Sequence, residues 1–172
     1  MSQLSEDEIQ QVADLLAKLQ PGFLPLPIFI QLTRLTVTPI IELVPLRLRN
    51  DTVEVLLMQR PPDDPTWPGM WHTPGTVLRA TDQEGSYRDA FERLLNDELA
   101  GVIAQSEPQF VETLFHQVKR GRECAQVFYM EVSGEPIEGK YFAAEKLPEN
   151  TVDTQWNFIK HAVRLFRQAR GI

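Results

Sequence analysis

The chain has 172 residues, 42% of them hydrophobic and 24% charged, which suits one globular domain with an ordinary core and argues against long-range disorder. A formal net charge of −7 argues against general attraction to nucleic-acid phosphates or anionic lipid, so a phosphorylated substrate needs a cation or a local basic patch. The single cysteine, Cys124, excludes an internal disulfide and a multi-cysteine zinc site, and points to a reducing, cytoplasmic setting.

The start MSQLSEDEIQ is acidic and lacks the basic, then apolar, pattern of a secretory signal. No apolar run approaches the roughly 18 residues of a spanning helix, so no membrane role is expected. Ser5 followed by Glu6, Asp7 and Glu8 reads as a capping box, and Ile9, Val12, Leu15, Leu16 and Leu19 recur at helical spacing until Pro21-Gly22. This helix is expected to pack on the domain or on a second subunit, the latter giving a homodimer. Residues 23–39 place Pro25, Pro27 and Pro39 around an apolar segment that suits either a helix from Pro27 or a strand. Residues 1–37 are read as a helical extension and 38–172 as the main domain.

Ile40 to Arg49 alternates as a strand, Asn50-Asp51 marks a tight turn, and VEVLLMQR from Val53 completes a hairpin. Pro61, Pro62 and Pro65 then break regular structure before WPGMWHTPG. The next predicted helix has Ser86 as its cap with Asp89 in the capping-box position. Ala90, Phe91, Leu94 and Leu95 form its apolar stripe, while Arg93, Asp97 and Glu98 project elsewhere. Asp97 and Glu98 differ by roughly 100° around the axis and share a cation only if it sits between them. Solvated surface charge is the alternative. Strands follow at Phe110 to Val118 and Ala125 to Val132, joined by the basic turn Lys119-Arg120-Gly121-Arg122. A short piece ends at Phe142, and Trp156, Ile159, Ala162, Val163 and Phe166 close the chain as a helix. The order implies a mixed α/β domain.

Trp71-His72-Thr73-Pro74-Gly75 followed by Ala90 to Leu99 resembles the Nudix hydrolase family. Its signature is a glycine, five residues, a glutamate, seven residues, then Arg-Glu-apolar-x-Glu-Glu-x-Gly. With the preceding LLMQRP segment, the later strands and the last helix, the resemblance covers roughly residues 38 to 170. It implies a mixed sheet sandwiched between helices. The box is degenerate: seventeen residues separate Gly75 from Arg93, four more than the pattern allows, and the expected glutamate falls beside Asp82 or Glu84. Leu94 replaces the glutamate after the arginine, Asp97 replaces the next, and Gly101 comes one residue late. A leucine cannot bind a divalent cation.

The resemblance implies Mg²⁺-dependent, or Mn²⁺-dependent, hydrolysis of a nucleoside diphosphate linked to another moiety. The expected catalytic residues are Arg93, Glu98 and His116, and the expected metal ligands are Asp97, Glu98, Glu84 and Glu123. Trp71, Gly75, Arg120 and Arg122 are expected to contact the substrate, a phosphorylated small molecule and not a nucleic acid. The alternative is a catalytically silent Nudix fold that binds a nucleotide-like ligand or a protein partner; Leu94 and the displaced glutamate favour it.

Overall fold

The computed structural model describes residues 4–172. Helix α1 (Glu6–Leu16) opens on a complete capping box: Ser5 Oγ accepts from the Glu8 N–H, and the Glu8 carboxylate accepts from the Ser5 N–H at 2.8 Å. No residue of α1 is buried, and Ile9, Val12, Leu15 and Leu16 stay 40–55% exposed. Of the two surfaces considered for its stripe, the domain does not cover it.

The ambiguous segment divides between both readings. Helix α2 (Leu26–Leu35) carries Pro27 in its first turn, where a missing N–H costs nothing, and strand β1 (Val37–Arg49) begins directly after Thr36 turns extended. Helix α2 docks through the buried Thr33, whose Oγ lies 3.0 Å from Ile30 O and 3.1 Å from Arg120 O. The approach is so close that a Cβ on Gly121, at φ +149°, would sit 2.0 Å from Thr33 O. Only glycine permits this contact.

Strand β2 (Thr52–Gln59) returns antiparallel to β1 through Asn50 and Asp51, both at positive φ (48° and 61°), as a tight two-residue hairpin turn requires. Beyond it lie β3 (Trp71–His72), β4 (Gly75–Val77), β5 (Val102–Ala104), β6 (Gln109–Val118), β7 (Gly121–Gly134) and β8 (Lys140–Ala143). Among the described residues these eight strands form one sheet: β1 runs parallel to β7 and antiparallel to β2 and β4, while β5 and β6 pair with β7. Strand β7 starts at the basic turn, four residues earlier than the apolar pattern suggests, because the parallel partner β1 extends its pairing down to Val37↔Arg122.

Helices cover both faces, as expected. Helix α4 (Trp156–Arg170) sets Phe158, Ile159, Val163 and Phe166 on Val44, Leu46, Val55 and Val127. Helix α3 (Arg88–Asp97) sets Ala90 and Leu94, with Leu99 beyond it, on Ile41, Leu43, Leu56 and Met130. The strand period of two assigns alternate residues to each core. The cap of α3 departs from expectation. Tyr87 stands at the N-cap without a side-chain bond, and Asp89 accepts from the Gln83 N–H across the loop instead of closing a capping box. No described helix is long and apolar enough to cross a membrane.

Candidate functional site

Strand β4 is the base of the site. Its register against β1 pairs Ile41 with Thr76 and Glu42 with Gly75, and the Leu78 N–H bonds Pro39 O while Pro74 O accepts from the Leu43 N–H. Backbone groups alternate sides in an antiparallel strand, so Gly75 and Val77 turn theirs away from β1. Helix α3 meets that free edge. Arg93 Nη2 donates to Val77 O at 3.1 Å, and the Gly75 N–H lies close enough to the Glu98 carboxyl to lower its pKa against the effect of burial. Arg93 thus caps a carbonyl on that strand edge.

Arg93 also forks onto Asp82, through Nη1 to Oδ1 and through Nη2 to Oδ2 at 2.9 Å, with both side chains at most 18% exposed. That hydrogen bonding, ahead of any opposing effect, holds the Asp82 carboxyl below its ordinary range. Of the two acids beside the expected glutamate position, Asp82 is therefore taken by Arg93, and Glu84 is exposed. Asp97 is exposed as well. Leu94 is 1% exposed and packs inside the α3 core. Burial pushes the Glu98 carboxyl up to about 7, against the pull of Arg60 and the Gly75 N–H.

A second group of charges surrounds Glu42, the one acid in the apolar run of β1. Burial pushes its carboxyl up to about 8; the hydrogen bond from Thr73 Oγ (2.8 Å) and the Arg60 charge oppose this, while Glu123 and Glu98 add to it. Arg60 stands among these acids, with Nη1 3.6 Å from Asp64 and its guanidinium 5.7 Å from the Trp67 ring. His72 is buried, its Nδ1 2.7 Å from Thr73 O, and burial with the Arg60 charge lowers it to about 4, so it is neutral at pH 7. Glu123, 4% exposed, accepts from Arg120 Nε at 2.6 Å and faces His116 Nε2 at 3.5 Å. Glu42, Arg60, His72, His116, Glu123 and Gln155 line a cavity of about 20 Å³, the size of one water.

The expected residues thus fall into separate places. Glu123 and His116 come together, but with Arg120 rather than with Asp97 or Glu84. Trp71 packs its ring edge-on to Phe142 at 4.9 Å in the α4 core. Gly75 lies against Glu42: an added Cβ would meet Oε2 at 2.9 Å. Gly75→Ala is accordingly expected to cost about 1–2 kcal/mol of stability, measured by urea unfolding, because the packed carboxyl must move. Arg122 is exposed and joins Arg34, Lys119 and Arg120 around an open polar cleft of about 530 Å³. Glu42 and Arg60 are site residues that sequence reasoning missed. The available signal was a lone carboxylate inside IIELVPL.

These residues do not suit the divalent cation that the resemblance implies. Among the described residues no three His, Cys, Asp or Glu side chains come together as a possible metal site. The Glu98 carboxyl is pushed up to about 7 by burial, Glu42 and Glu123 are served by hydrogen-bond donors and guanidiniums, and Leu94 supplies carbon.

No protein-family model and no curated protein matches the chain. Solved structures do. The Nudix domain of Shewanella oneidensis NrtR, complexed with ADP ribose, superposes with a TM-score of 0.62 at 17% identity over 95% of this chain and 99% of that one. A mutT/nudix family protein from Listeria innocua gives 0.60 at 18% identity over 78% and 97%. The C. elegans Ap4A hydrolase gives 0.57 at 16% identity over 76% and 99%. The chain therefore shares the fold of these Nudix domains.

Proposed function

We propose that this protein is a Nudix-fold binding module for a phosphorylated, nucleotide-like small molecule, and that it does not hydrolyse its ligand through a divalent cation. The observation that carries this reading is the fate of the motif's side chains. Leu94 belongs to the core, Arg93 is spent on Asp82 and Val77, burial pushes the Glu98 carboxyl up to about 7, and Arg60 lies among the remaining carboxylates. Burial that favours the protonated carboxyl at Glu42 and Glu98, with Arg60 beside them and Arg120 on Glu123, leaves little free negative charge for a metal.

The ligand class is supported by the basic cleft. Arg122 is exposed, and its planar guanidinium suits phosphate oxygens, as do Lys119 and Arg34 beside it. That the Shewanella Nudix domain is seen with ADP ribose favours a nucleoside diphosphate derivative.

The test is a panel of nucleoside diphosphate derivatives with Mg²⁺ or Mn²⁺. Release of phosphate or nucleotide is expected to stay at the level of buffer. ADP-ribose is expected to raise the melting temperature, as any ligand of the folded state does, and Arg122→Ala to reduce that shift. Metal-dependent turnover that disappears in Glu98→Gln would instead establish the hydrolase.

A further inference from the structure

Where the extension crosses β4, residues 21–24 and the first half of α2 enclose a pocket of about 460 Å³, within the range of small-molecule sites. Phe23, Leu24 and Phe29 wall one side and Val77 and Leu78 the other, so its surface is mainly hydrocarbon and aromatic. Arg79 brings a guanidinium to the lining. Its guanidinium carbon lies 5.7 Å from the centre of the Phe23 ring, and Phe23 is 84% exposed. The acid nearest to it in sequence, Asp82, feels the Arg79 charge but makes no direct ion pair with it: both its oxygens accept from Arg93, and Oδ2 also takes the Arg79 backbone N–H at 2.8 Å. Among the described residues Arg79 forms no ion pair within 4 Å.

We infer that this pocket is a second ligand site, selective for a small aromatic anion whose ring lies between Phe23, Phe29 and Val77 and whose carboxylate, sulfonate or phosphate meets Arg79. An apolar enclosure alone would take neutral aromatics equally well; a guanidinium at its wall that makes no ion pair within 4 Å favours the anion, and the Phe23 and Phe29 rings in the lining favour an aromatic body. In a chain of net charge −7, such a local cation is the element that admits an anion. The site is independent of the phosphate-binding reading, since the basic cleft is lined by other residues at the opposite end of α2.

A pair of dyes of near-equal shape tests it: 8-anilinonaphthalene-1-sulfonate, an aromatic anion, and neutral N-phenyl-1-naphthylamine, both followed by fluorescence. The wild-type chain is expected to bind the sulfonate saturably at one site. Arg79→Gln should weaken the sulfonate about tenfold, the loss of one charge-assisted contact, while leaving the neutral dye unchanged. Phe23→Ser, at an exposed residue, should weaken both. Val12→Gln, which interrupts the exposed stripe of α1, should change neither, and circular dichroism melts confirm that each variant is folded. Sulfonate binding that survives Arg79→Gln, resists Phe23→Ser or disappears in Val12→Gln overturns the assignment.

Discussion

Arg93→Met is expected to lower the unfolding free energy by about 1–3 kcal/mol, the cost of leaving a partly buried carboxylate and a strand-edge carbonyl without their donor. Two groups lose their donor together. Asp82, whose side chain is 10% exposed, would keep its charge without the guanidinium fork, and Val77 O at the edge of β4 would lose its hydrogen bond. Methionine preserves most of the length and apolar contact, so lost volume does not confuse the result. Urea unfolding of the variant beside Arg88→Met makes the comparison. Arg88 pairs with Glu92 on the exposed face of the same helix, and its loss should leave the midpoint in place. A residue kept only for chemistry at phosphate would show the reverse, a loss of activity with stability intact.

Glu42→Gln is expected to stabilise the protein by about 4–5 kcal/mol at pH 9 and to have little effect at pH 5. The folded chain holds the Glu42 proton up to about 8, whereas an unfolded carboxyl releases it near 4.5. Between those values the native state binds the extra proton, so stability is complete below the lower value and drains away as pH rises through the upper one. Glu98 adds a parallel loss ending near 7. His72 works in the other direction: it is held neutral down to about 4, so its contribution is present above 6.5 and fades on acidification. Glutamine keeps an oxygen for the Thr73 hydroxyl and never ionises. Unfolding midpoints from pH 5 to 9 should therefore fall for the wild type and stay flatter for the variant. Parallel curves would remove Glu42 from the account.

How much of this was written in the sequence depends on whether the deciding force was local. The hairpin at Asn50-Asp51, the capping box at Ser5 and the stripe of α4 follow from short-range rules, and all three appear where spacing puts them. The Nudix-like architecture was legible too, because Trp71 to Gly75 and Ala90 to Leu99 kept their order even where residues changed. The site was legible only in part. Leu94 showed that a ligand was missing, but the burial that raises the Glu98 carboxyl depends on how the end of α3 packs against the rest of the fold. The grouping of Glu42, Arg60 and Glu123 depends on a parallel pairing between segments about 80 residues apart, which no local pattern encodes.

The contact between Gly121 and Thr33 has a practical consequence for where this protein can be cut. By seating α2 against the basic turn, it makes residues 26–35 a shared partition: Leu26 and Phe29 face the aromatic pocket, and Arg34 and Leu35 face the basic cleft. Trimming the chain at residue 38, the boundary that separates extension from sheet in the sequence, would leave the Nudix core with both of its clefts open on one side.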